Sequence, residues 1–247
     1  MKVSFITTTY NASEVIENTI KSVLNLKLKN FEYLIQDAGS VDHTINVCKK
    51  YSQLKIHIKE DNGIYHGMNY AINKSSGDII VILNAGDKII KKGFEEVLKL
   101  FKHDKSIDII AASVVMINRR LNKSINWSRK NNPLAIGNAT VKHPAIFVHK
   151  DVYKKIGKFN LNFPISADYD FVCRALLHKL KIINLDVLTT VVDDEGYSTA
   201  LSRHISKNIE HIKIVYKYSS GKKRFNYVLL TFKKAIFGLL SLLKKRF

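Results

Sequence analysis

The stretch EDNGIYHGMNYAINKSSGDIIVILNAGD, residues 60–87, decides the fold class. It opens on a polar loop, Glu60-Asp61-Asn62-Gly63. Ile64, Met68, Ala71 and Ile72 then recur at helical spacing and predict a helix that ends before Gly77. Ile79–Leu83 is an unbroken aliphatic run, as expected of a strand buried on both faces. It ends in a second polar turn, Asn84-Ala85-Gly86-Asp87. Upstream, Val3–Thr7, Phe31–Gln36 and Leu54–Ile58 read as strands. Helices are expected after the capping residues Asn11–Ser13 and over Asp42–Tyr51. Strand and helix thus alternate three times in about 85 residues, the pattern of a parallel sheet with crossover helices.

Beyond this half the rhythm changes. Ile107–Ile117 reads as a longer strand, with Asn118–Trp127 as its hairpin continuation. Ala145–Val148 is short and apolar, Asp168–His178 reads as a helix, and Ile182–Val192 as one or two strands. Leu201–Tyr218 and Tyr227–Phe247 read as helices separated by SSGKKR. The expected organisation is one α/β domain over residues 1–200, with halves 1–90 and 91–200. A helical tail, 201–247, follows.

Composition narrows the class. The chain has 247 residues, 46% apolar and 25% charged, and can bury a sufficient core without a metal or disulfide staple. Cys48 and Cys173 are its only cysteines, which excludes a disulfide scaffold or a Cys-rich zinc module and fits a reducing compartment. Forty Lys and Arg against 21 acids give a net charge of +19, which predicts an anionic partner. The charge is uneven. Residues 201–247 carry twelve Lys/Arg and the single acid Glu210, so +11 sits there and +8 on the rest. Leu229, Phe232, Ile236, Leu239, Leu240 and Leu243 fall on one stripe of the last helix, with the Gly221-Lys222-Lys223-Arg224 cluster before it. An apolar stripe beside cations suits a helix lying on an anionic lipid surface; the alternative is a helix packed on the domain with solvated cations. The strands are aliphatic rather than aromatic and basic, which argues against nucleic acid. No secretory signal is read at the N-terminus and no apolar run is long enough to span a bilayer.

Ligands of open α/β sheets bind at the carboxyl ends of strands. Here those ends are Thr8-Thr9-Tyr10-Asn11, Asp37 to Thr44, Glu60 to Gly63, and Asn84 to Asp87. The sequence contains neither G-x-G-x-x-G nor a Walker A loop, which argues against a dinucleotide fold or a P-loop ATPase. Carboxylates gather instead. They repel phosphate unless a cation lies between, so a divalent metal bridging a diphosphate is the natural chemistry.

Val3–Asn11, Asp37–Thr44, Glu60–Asn73 and Gly77–Asp87 resemble the nucleotide-sugar half of glycosyltransferase family 2, which has the GT-A fold. The 60–87 run, ISADYDFVCRAL and DEGYST are similar to bacterial members that build O-antigen, capsule and other cell-surface polysaccharides. The resemblance spans roughly residues 2–200 and implies a GT-A fold, a Rossmann-like mixed sheet with helices on both faces, plus C-terminal amphipathic helices. It implies an inverting transferase that moves a sugar from a nucleotide-diphospho-sugar, a UDP-sugar by preference, to a hydroxyl of a glycan or polyprenyl-diphosphate-linked acceptor. Thr8, Tyr10 and Asn11 would contact the base, and Asp37 would accept a hydrogen bond from it. Asp61 and Gly63 would lie in the loop over the donor, with Asn84, Ala85 and Gly86 beside it. Asp87 would hold Mg²⁺ or Mn²⁺, although Gly86 stands where the family commonly has a second acid. Asp168 would be the general base; Asp170, two residues on along a helix, points elsewhere. His143, Gly196 and Ser198 would line the acceptor or phosphate side, with Glu195 replacing a glycine of the family pattern. Asp42 reads equally as a helix cap, and Asn69 equally as a surface residue. The implied place is the cytoplasmic face of the inner membrane. The rival reading is a catalytically decayed relative that binds lipid or nucleic acid through its basic tail.

Overall fold

The computed structural model describes residues 1–118, 123–137, 141–193, 201–222, 224–230 and 232–233. In the first half β1 (Val3–Thr9), β2 (Phe31–Asp37), β3 (Leu54–Ile58) and β4 (Ile79–Asn84) alternate with α1 (Ile16–Leu24), α2 (Thr44–Lys49) and α3 (Ile64–Lys74). The second half contains β5 (Lys88–Ile89), α4 (Lys91–His103), β6 (Ile109–Asn118), β7 (Lys123–Trp127) and β8 (Ile146–His149). It continues with α5 (Lys150–Ile156), α6 (Ala167–Leu177), β9 (Ile182–Asp193) and α7 (Leu201–Tyr218).

One sheet runs through both halves in the order β3-β2-β1-β4-β8-β6-β9-β5, with β7 paired to β6. β1 to β4 are parallel. β8 is antiparallel to both β4 and β6. The expected mixed α/β sheet is therefore present, and β6–β7 form the expected antiparallel pair. β9 is a single strand with register shifts against β6 around Ser113, and it pairs with β5 along its other edge.

Strand alternation separates two cores. Ile6, Leu34, Ile80, Ile82 and Ile146 face α3, α5, α6 and α7. Phe5, Tyr33, Ile35, Val81 and Phe147 face α1 and α4. The helices α4 and α5 extend the sequence reading, which assigned nothing to those residues. Phe94, Val97, Leu98 and Phe101 make α4 amphipathic in spite of Gly93 in its first turn.

Two readings are corrected. Asn11–Ser13 do not cap α1, which begins at Ile16 without a side-chain cap. Asn11 sits at φ +47° and turns the chain toward Ser40 instead. The segment from 201 is also not a detached tail at its start. Ile214 and Val215 are fully buried in the first core, because α7 lays an apolar face on α6. A boundary at residue 200 thus cuts through the packed domain. Helical backbone is seen again over 224–230 and 232–233. Most of the expected stripe, from Ile236 on, lies outside the described residues. Among the described residues no helix is long and apolar enough to cross a membrane.

Candidate active site

Sheet register sets the site. Thr8 lies level with Gln36 on one side and Asn84 on the other, and Thr9 lies level with Asp37, which pairs with Ile58. The polar ends of all four parallel strands therefore form one rim.

On the β1–β2 side the rim is tied together by its loops. Asn11 N–H donates to Ser40 Oγ at 2.8 Å, and Val41 N–H donates to Asn11 Oδ1 at 3.0 Å. Asp37 is fully buried. Its Oδ1 accepts from the N–H groups of Gly39 (3.0 Å) and Ser40 (2.7 Å), and its Oδ2 from the Ser40 hydroxyl. As placed, Asp37 shapes this loop; accepting from a base would require the Ser40 hydroxyl to yield. Asp42 is the helix-side residue of the pair. It accepts from Thr44 N–H (2.9 Å) and Ser13 N–H (3.1 Å), and hydrogen bonds led by that of the Thr44 hydroxyl hold its pKa far down. Tyr10 stands 60% exposed at the mouth, where a ring can stack on a ligand.

The loop before α3 closes in from the other direction. Asp61 Oδ1 accepts from Gly63 N–H at 3.0 Å. A Cβ on Gly67 would lie 2.6 Å from Asp61 Oδ2 and 3.3 Å from Thr8. Gly67 thus lets α3 approach the strand ends, a role sequence reasoning missed; the signal was a glycine inside a helical pattern. Asn69 faces away from the rim. It bonds both ways with the Phe159 backbone, at 2.8 and 3.0 Å.

At the end of β4, Asp87 is 3% exposed and its Oδ2 accepts from Asn84 N–H at 2.9 Å. Gly86 sits at φ +103° and donates its N–H to Thr19 Oγ1 at 2.8 Å. That conformation is rare for a residue with a side chain, so the turn favours glycine at this position. Among the described residues no three His, Cys, Asp or Glu side chains cluster as a metal site. The donor chemistry at Asp87 is one hard carboxylate. It suits Mg²⁺ or Mn²⁺ with phosphate and water oxygens as the other ligands, and does not suit a closed zinc site.

Asn84, His143 and Asp168 connect this turn to α6. His143 Nε2 lies 3.2 Å from Asn84 Oδ1, and its Nδ1 lies 3.8 Å from Asp168 Oδ2. Asp168 occupies the first turn of α6 and is about 16% exposed. Burial pushes its pKa up, but His143, Lys207 and the Tyr169 N–H outweigh this and leave it lowered. An ionised carboxylate at the edge of the rim is thereby available to take a proton. Asp170 does point elsewhere, into an ion pair with Arg174 at 2.8 Å. Gly196 and Ser198 lie outside the described residues.

Two carboxylates were not singled out from the sequence. Glu32, a charge inside an apolar strand, is 5% exposed at the opposite end of the sheet. Glu210, the lone acid of the basic segment, is 8% exposed and accepts from Ile165 N–H (3.1 Å) and Ser166 N–H (2.8 Å). Its neighbour His211 packs edge-on against Tyr169.

This mixed sheet, with its polar strand ends on one rim, has the architecture of GT-A glycosyltransferases. Residues 4–157 match Glycosyl transferase family 2, and the chain belongs to that family. It is similar to a PGL/p-HBAD biosynthesis glycosyltransferase of Mycobacterium bovis, 26% identical over 180 residues that cover 69% of this chain and 68% of the relative. Two solved structures share the fold. TarS of S. aureus in complex with UDP-GlcNAc aligns with TM-score 0.68 and 17% identity, covering 94% of this chain and 70% of that one. Mannosyltransferase PcManGT of Pyrobaculum calidifontis, in complex with GDP-Man and Mn²⁺, aligns with TM-score 0.68 and 17% identity, covering 96% and 72%.

Proposed function

We propose that this glycosyltransferase inverts the anomeric centre of a nucleotide-diphospho-sugar and passes the sugar to a hydroxyl of a glycan or lipid-linked acceptor. The observation that carries the reading is Asp168 on the first turn of α6, its carboxylate 3.8 Å from His143, which in turn meets Asn84 at the end of β4. Tyr10, Asn11 and the Asp37 loop receive the base, with UDP the preferred nucleotide. Thr8, Asp61, Gly63, Asn84, Ala85 and Gly86 surround the donor. Asp87 would hold a divalent cation, which when bound neutralises charge on the departing diphosphate. Asp168 takes the proton of the acceptor hydroxyl as that oxygen attacks from the face opposite the diphosphate. His143 keeps the Asp168 carboxylate ionised and turned to the acceptor side; by the family resemblance Gly196 and Ser198 would belong to the acceptor or phosphate side. The nucleotide leaves in the same displacement.

The acceptor would be a polyprenyl-diphosphate-linked sugar of a surface polysaccharide such as O-antigen or capsule, met at the inner face of the membrane. Ile205, Ile209 and Tyr216 on α7 and Phe225, Leu229 and Phe232 beyond it are exposed apolar residues among cations, which supports a peripheral lipid contact.

A thermal-shift series with UDP-, GDP- and dTDP-sugars in Mn²⁺ tests the donor. UDP-sugars should raise the midpoint most, and no rise with any of them would sink the reading. Co-sedimentation with anionic against neutral vesicles tests the lipid contact; equal, negligible binding to both removes it.

A further inference from the structure

The chain segment that leads into Asp168 is held by side chains from two other elements. Tyr65, on α3, donates its hydroxyl to the Ile165 carbonyl at 3.2 Å. Glu210, on α7, accepts from the N–H groups of Ile165 and Ser166. Ser166 is the cap residue of α6, two positions before Asp168, so the Ile165–Ser166 peptide is gripped on its carbonyl and on both adjoining N–H groups. A second clamp lies further along the same helix pair. Tyr218, on α7, donates to Asp170 Oδ1 at 2.8 Å, while Arg174 pairs with Asp170 Oδ2. α7 is therefore fastened to α6 both before and after the base. A free helix N-terminus would satisfy its N–H groups with water or with its own cap. Here a buried carboxylate is brought from 44 residues away to do so. Burying a carboxylate is costly, and burial does raise the Glu210 pKa, with the Asp168 charge adding to the rise.

We infer that Glu210 is a positioning residue for the transfer reaction: from α7 it fixes the Ile165–Ser166 peptide and so aims the Asp168 carboxylate. The basic C-terminal segment thus supplies a working part of the active site through its only acid. This rests on the reading of Asp168 as the base. The charged and titratable groups facing Asp168 are Tyr65 on α3, His143 in the turn before β8, and Lys207 and Glu210 on α7.

The test uses the full chain with UDP-GlcNAc as probe, following UDP release and hydrogen exchange at the 165–166 amides. Glu210→Ala should speed exchange there and lower kcat by about tenfold to a hundredfold, with KM for the donor within about twofold. Glu210→Gln retains an acceptor oxygen and should recover most of both. The acid limb of kcat should stay in place in Glu210→Gln, because Glu210, with its raised pKa, is already protonated where Asp168, with its lowered pKa, titrates. A residue of merely structural worth would lower the melting midpoint and leave kcat within about twofold. If Glu210→Ala does not fold, Glu210→Asp, one methylene short of the 165–166 amides, decides alone: a kcat about tenfold lower with unchanged donor KM supports the inference, and an unchanged kcat overturns it. An unchanged kcat and unchanged exchange in Glu210→Ala, with Asp168→Asn inactive, overturns the inference and leaves the base reading intact. An active Asp168→Asn overturns the base reading itself, whatever Glu210 does.

Discussion

The two ends of the parallel sheet are built on opposite rules. At the amino end the buried carboxylate is answered by partners on all sides. Glu32 accepts from the Ser4 hydroxyl (2.6 Å) and the Ser76 N–H (2.6 Å) and pairs with Lys55 at 2.8 Å and Lys2 at 3.4 Å. Asp78 binds the Lys2 N–H at 2.7 Å, which closes β1 against β4. At the carboxyl end, Thr8 Oγ1, Thr9 Oγ1 and Gln36 Oε1 are buried without a hydrogen-bond partner. Asp37 and Asp87 fold their carboxylates back on their own loops. Leaving such atoms unpaired is destabilising, and a fold tolerates it where a ligand supplies the missing partners. One end of the strands closes on itself; the other leaves polar groups for the ligand of the proposed function.

The largest expected effect is at the reactive end. Asp168→Asn should cut turnover by on the order of a hundredfold to ten-thousandfold, with UDP affinity close to wild type by calorimetry. Next is the cation. Excess EDTA should lower turnover on the order of a hundredfold or more, restored by Mn²⁺. Full turnover without divalent ions would remove the cation from the proposal. At the quiet end, Glu32→Gln should cost about 1–3 kcal/mol in urea unfolding and leave kcat unchanged. Burial raises the Glu32 pKa, but Lys55, Ser4 and Ser76 outweigh it and hold the group far below its ordinary 4.5. Its stabilisation is therefore complete above about pH 5 and is lost as pH falls through the folded value. A Glu32→Gln protein should accordingly show a weaker loss of stability below that pH.

Two smaller effects sharpen the contrast. Thr8→Val replaces an unanswered hydroxyl with a methyl group. The free protein should be unchanged or up to about 1 kcal/mol more stable, while UDP binds more weakly. Equal losses in both would mean that Thr8 serves packing alone. His143→Gln removes an interaction that lowers the Asp168 pKa. The acid limb of kcat should then move to higher pH. A limb that stays in place would separate His143 from the base.

Much of this was legible in residue order. Strand runs such as Ile79–Leu83 and the Asn84–Asp87 turn announce themselves because neighbouring residues share one environment. The helix at Ala167–Leu177 was legible for the same reason. α4 and α5 were not, since a glycine in the first turn and a length of seven residues weaken the periodic signal. Nor did residue order reveal that Ser40 occupies Asp37, or that Asn69 serves Phe159, because those partners are set by folding.

The sequence by itself determined the alternation of strand and helix, the acidic strand ends and the concentration of charge beyond residue 200. These are local properties, carried by composition and spacing within single elements. Only the tertiary structure decided that α7 belongs to the core, that Gly86 answers a backbone demand, and that Glu210 binds the Ile165 and Ser166 N–H groups ahead of Asp168. Each of those depends on groups far apart in the chain, and a carboxylate among twelve cations looks like surface charge until a fold buries it.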